Sequence, residues 1–173
     1  MARYSAQELA RAFRRVRANT IQVAEDIPGD GYGFSATPDT RSVEKVLVHI
    51  AVSPRMQETI HGERVMDFST LDVRALFAGI LSVEAESRTK GEVLDLLRGE
   101  GERFGSFLDG LDDATLDEHV RTPGDPSGTK SRLEMLMGVK EHEMHHRGQL
   151  MLIQRMLGVV PHLTRQREAR LAR

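Results

Sequence analysis

The residues of this sequence with the clearest capacity for chemistry are histidines, and His142, His145 and His146 lie within five positions of one another. His142 and His146 are four residues apart, so on a helix their side chains point the same way, one turn apart. Two imidazoles placed in this way can bind one metal ion. The same segment matches H-E-x-x-H, the signature of zinc proteases, in which Glu143 would be the general base.

The residues around this motif give the protease interpretation little support. The longer metzincin signature requires a glycine three residues and a histidine six residues after His146, and Gln149 and Leu152 occupy those positions. On a helix, Glu143 also points ~100° away from His142. A protease therefore stays a minor alternative. Glu143 is the one candidate for a catalytic residue, and the sequence identifies no other.

The composition limits what kind of site is possible. The 173 residues include no cysteine, which excludes disulfides, iron–sulfur clusters, thiolate zinc sites and a cysteine nucleophile. Any metal must therefore be bound by His, Asp or Glu. The net charge of -2 gives no electrostatic reason to expect nucleic acid or an anionic membrane as a partner. No apolar run approaches the ~20 residues of a membrane span, and the N-terminus lacks a signal-like segment, so a cytoplasmic location is expected.

Hydrophobic periodicity predicts helices along most of the chain. The length favours a single domain over residues 1–173, with 163–173 as a charged C-terminal tail. Residues 28–38 and 112–130 are predicted to be loops. The expected fold is an all-α antiparallel bundle of four main helices with one or two accessory helices. The predicted helices run from about Ser5 to Glu25, Ser42 to His61 with a break at Pro54, Leu71 to Glu86, Lys90 to Leu111, and Ser131 to Leu157.

A third histidine, His49, lies on the second predicted helix. Val46 and Ile60 share its face, so its side chain is expected to point into the bundle. His61 lies well off that face and is expected to be exposed. His119 and His162 fall in segments predicted to be irregular, and no role is assigned to them.

The face of the last helix that carries His142 and His146 also carries Val139 and Ile153, and the opposite side carries Lys140, Arg147 and Arg155. Both histidines are therefore expected to face inward, with His145 at the rim. Adjacent buried imidazoles need a partner, and a shared divalent ion would satisfy them. Three imidazoles leave coordination positions open, as in catalytic metal sites.

Two segments resemble motifs of the DinB/YfiT-like superfamily. One is residues 142–150, followed by Arg155-Met156-Leu157-Gly158 and Pro161, and the other is residues 46–51 on the second helix. The resemblance implies a four-helix bundle of the up-down-down-up type, usually dimeric, with a three-histidine site for a divalent metal. On this sequence the implied ligands are His49, His142 and His146.

The resemblance also implies a function, because characterised members of this superfamily include thiol-dependent S-transferases and a mycothiol-dependent isomerase. The leading hypothesis is a metal-dependent transferase, with zinc or nickel as the first candidate ion and iron or manganese as alternatives. The ion would lower the pKa of a coordinated thiol or water. Because the chain has no cysteine, the thiol would be a low-molecular-weight co-substrate. The alternatives are a metal-dependent hydrolase and a non-catalytic metal-binding stress-response protein.

Overall fold

The computed structural model describes residues 4–125 and 127–172, which fold mainly into helices. Four long elements form a bundle: α1 (Ala6–Asp26), the consecutive helices α2 (Val43–Val52) and α3 (Pro54–Gly62), α5 (Lys90–Asp109) and α7 (Arg132–Met156). The shorter elements are α4 (Val73–Ala85), α6 (Asp113–Leu116), α8 (His162–Leu171), two 3-10 turns (Gly29–Gly33 and Phe68–Thr70), and an antiparallel hairpin of β1 (His119–Arg121) and β2 (Thr129–Ser131).

The order of the helices around the bundle follows from their contacts. Helix α1 packs on α5 and α7, and α2 packs on the same two helices. One apolar cluster joins the C-terminal ends of α1 and α7, at Val23 and Ile153, to the N-terminal ends of α2 and α5, at Val43 and Val93. Helices α1 and α7 therefore run in one direction and α2 and α5 in the other. The predicted all-α bundle with up-down-down-up topology is confirmed.

Local sequence sets where the helices begin. Ser5 and Glu8 form a reciprocal capping box at the start of α1, and Thr89 and Glu92 do the same for α5. Each such cap is worth about 1 kcal/mol, because it satisfies backbone N–H groups that have no partner within the helix. At the start of α7, the Ser131 hydroxyl accepts a hydrogen bond from the backbone N–H of Glu134.

The break between α2 and α3 occurs at Pro54, as predicted. Proline has no N–H, so the carbonyl of Ile50, four residues earlier, lacks its helical donor. The guanidinium of Arg17 from α1 donates to that carbonyl instead, over 3.1 Å. The Ser53 hydroxyl donates to the carbonyl of His49 at 2.5 Å. These two hydrogen bonds hold the last turn of α2, which carries His49, and the bond from Arg17 connects this turn to α1.

Three segments differ from the sequence-based expectations. His61 is 1% exposed, so the expectation of an exposed residue is wrong; its Nδ1 lies 2.9 Å from the guanidinium of buried Arg132. Residues 112–130, predicted as a loop, contain α6 and strand β1, and the second strand of the hairpin begins at Thr129. The charged segment after Pro161 forms α8, which begins at a buried His162 and is otherwise largely exposed. In the described part of the chain, no helix combines the length and apolar character needed to cross a membrane.

Candidate metal centre

The three histidines predicted as metal ligands meet where α2 packs on α7. The Nε2 atom of His142 is 3.1 Å from Nε2 of His49 and 3.1 Å from Nε2 of His146. One ligand atom from each residue lies within 4.8 Å of the other two. Tetrahedral zinc with Zn–N distances of ~2.0–2.1 Å places neighbouring nitrogen atoms about 3.3 Å apart. The spacing therefore suits three ligands of a single ion.

Two side chains orient the imidazole rings from behind. Nδ1 of His49 lies 2.7 Å from a carboxylate oxygen of Glu84, and Nδ1 of His146 lies 2.8 Å from the amide oxygen of Gln149. These oxygens accept hydrogen bonds, so each Nδ1 carries a proton, and in the neutral ring each Nε2 presents a lone pair. Hydrogen bonds of this kind fix the tautomer and ring orientation of metal-binding histidines.

The surroundings of His142 and His146 favour their neutral forms. Burial lowers the pKa of His142 to about 4, with a further contribution from the nearby His146 and His49 rings. Burial also lowers the pKa of His146, against the opposing effect of its hydrogen bond to Gln149. Neutral imidazole is the form that binds metal.

The hydrogen-bonding capacity of the cluster is incomplete without a cation. His49 and His146 both present lone pairs toward Nε2 of His142, which has at most one proton to donate. At least one of the two contacts to His142 therefore lacks a hydrogen atom between its nitrogens. A divalent ion would accept all three lone pairs, so the donor set fits such an ion.

Glu84, the carboxylate that touches a candidate ligand, was missed by the sequence analysis. It lies near the end of α4, and the guanidinium of Arg41 lies 3.5 Å from its other oxygen. The available signal was weak: Glu84 is the single acidic residue in an otherwise mostly apolar helix. No spacing rule connects α4 to α2, and only the packing of the two helices brings Glu84 to His49.

Glu143, the candidate catalytic residue, is 2% exposed and ion-paired with Arg17. Nε of Arg17 lies 3.1 Å from both carboxylate oxygens, and Nη2 lies 3.0 Å from one of them. The same guanidinium donates to the carbonyls of Leu97 and Ile50. Arg17 thus joins four helices and holds the residues next to His49 and His142. Both oxygens of Glu143 are engaged, so its role as a general base stays a prediction without geometric support.

The deeply buried side of α7 differs from the one expected. Arg147, placed by periodicity opposite the histidines, is only 9% exposed, and its guanidinium donates to the carbonyl of Val16 on α1. His142 and His146 are partly buried, at the edge of this packed face. His145 is exposed, and its Nε2 lies 3.3 Å from the amide nitrogen of Gln149, which places it at the rim as expected.

Two cavities lie beside the histidine cluster. The larger, of about 400 Å³, is lined by His49 and His142 together with mainly apolar side chains from α2, α3, α4 and α7. The smaller, of about 350 Å³, is lined by His146 and Gln149. Arg41 lines both. The cluster can therefore be approached from two sides.

The fold and the site together define a helical-bundle protein with a three-histidine cluster suited to a divalent metal. The chain belongs to the DinB superfamily, whose family model matches residues 12–150. This confirms the resemblance inferred from the two sequence motifs. No curated protein matches the chain.

Three solved structures share the fold. The DinB-like protein YjoA from Bacillus subtilis has a TM-score of 0.65 and 22% sequence identity, over 87% of this chain and 92% of YjoA. A DinB-like protein from Bacillus cereus has a TM-score of 0.70 and 14% identity, over 92% of this chain and 97% of that protein. YfiT from Bacillus subtilis, described as a probable metal-dependent hydrolase with an unusual four-helix bundle topology, has a TM-score of 0.69 and 15% identity, over 92% and 91% of the two chains.

Proposed function

We propose that this protein is a metal-dependent enzyme in which His49, His142 and His146 bind a divalent ion that activates a low-molecular-weight thiol for transfer to an electrophilic substrate. The observation that carries the proposal is the convergence of three Nε2 atoms, two of them oriented by Glu84 and Gln149. The thiol must come from outside, because the chain contains no cysteine. Zinc or nickel is the first candidate for the ion.

A divalent ion at this site would lower the pKa of a thiol or water that binds to it. The protein's own residues orient the ligands and determine their surroundings. Glu84 and Gln149 hold the rings so that their lone pairs face one point, and burial keeps His142 neutral. The mainly apolar lining of the larger cavity would lower the local dielectric constant, which strengthens electrostatic interactions there.

The main alternative is hydrolysis, with water in place of the thiol. It is supported by the description of YfiT, which shares the fold at 15% identity. The two cavities favour transfer, because a transferase must bind two organic reactants beside the metal whereas a hydrolase needs room for one and a water molecule. The homodimer implied by the resemblance stays a prediction.

Metal binding is tested first, by elemental analysis of freshly purified protein and by zinc and nickel titration of metal-free protein. We expect one ion per chain, lost when His49, His142 or His146 is replaced by Ala. His119→Ala is the matched control, because His119 is exposed on β1, outside the cluster. The proposal is refuted if the purified wild-type protein carries no divalent ion and the metal-free protein binds neither zinc nor nickel.

Turnover then separates the candidate functions. The metal-loaded protein is assayed with a panel of thiols and alkyl or aryl electrophiles, and in parallel with ester and amide substrates without thiol. Thiol-dependent release of the leaving group supports the transferase. Turnover of the esters or amides alone supports the hydrolase, and a stoichiometric ion without any turnover supports a non-catalytic metal-binding protein.

A further inference from the structure

The polar side chains that line the larger cavity are mostly occupied by other groups of the protein. The Ser53 hydroxyl donates to the carbonyl of His49, and the amide oxygen of Gln57 lies 3.0 Å from Nε2 of His61. Glu84 contacts His49, and Glu143 contacts Arg17. Ser53, Glu84 and Glu143 therefore have little capacity left to recognise an anionic ligand, and Gln57 retains its neutral amide N–H donors.

Arg41, which also lines the larger cavity, is a charged group that is still available to a ligand. Its side chain is 47% exposed, and its ion pair with Glu84 is long, at 3.5 Å. No hydrogen bond from its guanidinium is found within residues 4–125 and 127–172, although the group carries five N–H donors. It lines both cavities, and each of these cavities is also lined by at least one histidine of the cluster. Arg41 is thus a positive charge with spare donors beside the candidate metal site.

The rest of the larger cavity is suited to an apolar group. Its walls include Phe77, Ile80 and Leu81 from α4, and Met135 and Val139 from α7. A volume of about 400 Å³ lies within the range of roughly 300–1,000 Å³ typical of small-molecule sites. The larger cavity is therefore mainly apolar, and Arg41 is the cation in its lining that can bind a ligand.

We propose that Arg41 binds the carboxylate of a small organic acid whose apolar body occupies the larger cavity. Guanidinium and carboxylate match in shape and can form two parallel hydrogen bonds. Glu84 contacts both Arg41 and His49, so a carboxylate at Arg41 lies within reach of the histidine cluster. The inference rests on the proposed function only in taking this acid to be a substrate, because binding is measurable without turnover.

The test compares 4-phenylbutyrate with its neutral analogue 4-phenylbutyramide by isothermal titration calorimetry, in metal-free and in zinc-loaded protein. We expect the acid to bind at least about tenfold more tightly than the amide in both forms, as a charge-assisted hydrogen bond supplies. Arg41→Gln should remove this preference, and Arg41→Lys should keep part of it. Arg98→Gln is the control, since Arg98 is 50% exposed and ion-paired with Glu25 outside both cavities.

A second variant tests whether the ligand occupies the larger cavity. Gly138 on α7 lines the larger cavity, and a Cβ built on it meets no atom within 4 Å. Gly138→Leu should therefore narrow this cavity without a clash at Cβ, and leucine also favours the helix. We expect it to weaken the acid and the amide alike, by about tenfold or more. Circular dichroism and thermal melting confirm that each variant is folded.

Three results would overturn the proposal: equal binding of acid and amide to the wild-type protein, an acid preference that survives Arg41→Gln, or unchanged binding in Gly138→Leu. A preference seen only with zinc and retained in Arg41→Gln would assign the carboxylate to the metal. Failure of the protein to bind any divalent ion would refute the proposed function but leave the metal-free comparison intact, so the two failures are distinguishable.

Discussion

Arg17 and Glu143 form a buried ion pair at the centre of the bundle, joining residues 126 positions apart in the sequence. Their side chains are 4% and 2% exposed. Because Arg17 also donates to the carbonyl of Ile50, it connects the residue after His142 with the residue after His49. The pair therefore links the packing of the bundle to the spacing of the candidate ligands.

Breaking this pair should cost stability. Replacing Arg17 by Met leaves the Glu143 carboxylate buried without a partner, and such a loss costs about 3–5 kcal/mol. We expect a lower urea midpoint for the metal-free protein and weaker zinc binding. The double variant Arg17→Met/Glu143→Leu should recover part of the free energy of unfolding. If Arg17→Met costs no more than Arg98→Met, whose ion pair is exposed, the ion pair is not a major support of the fold.

The space for Arg17 depends on a glycine of α5. A Cβ added at Gly101 would lie 2.7 Å from Cγ of Arg17, which is too close for carbon atoms. Gly101→Ala should therefore destabilise the protein, although alanine favours a helix by about 1 kcal/mol. Gly99→Ala, two residues earlier on the same helix, meets nothing within 4 Å and should be neutral or stabilising. Equal urea midpoints for the two variants would contradict this packing.

The contact of Glu84 with His49 should control metal affinity. Removing the carboxylate behind a ligating histidine typically weakens metal binding by about 10–100-fold. We expect a loss of this size in zinc affinity for Glu84→Gln, measured by competition with a chelating dye, with little change in thermal stability of the metal-free form. Glu86→Gln is the control, because Glu86 is 64% exposed and pairs with Arg88. Unchanged zinc affinity in Glu84→Gln would show that the contact does not orient a ligand.

The buried His61 should make the stability of the metal-free protein depend on pH. Burial, aided by the positive charge of Arg132, lowers the pKa of His61 to about 4 in the folded state. The unfolded chain, with a pKa near 6.5, takes up the proton first, so stability is lost as pH falls from about 6.5 to about 4, by up to roughly 3 kcal/mol. Urea unfolding at several pH values measures this loss.

The matched variant is His61→Gln, which cannot titrate. Its free energy of unfolding should fall less steeply over the same pH range, with the remaining slope due to groups such as His142, whose pKa is also lowered to about 4. Parallel pH profiles for the two proteins would argue against a buried neutral His61.

Sequence alone determined the helical class, the bundle topology through family resemblance, and the three histidines that the fold brings together. Four-residue spacing is a local property, so His142 and His146 share a face in any helix. The orientation of His49 could also be predicted from sequence, because the apolar residues around it indicate the side of α2 that packs inward.

Tertiary structure decided which polar groups are buried and what they contact. Periodicity assigns charged residues to the solvent side, and this rule fails when a buried charge has a partner from a distant helix, as for Arg17 with Glu143 and Arg147 with the carbonyl of Val16. The contact of Glu84 with His49 could not be predicted for the same reason. Such pairs depend on the approach of helices far apart in the chain, and no local pattern records it.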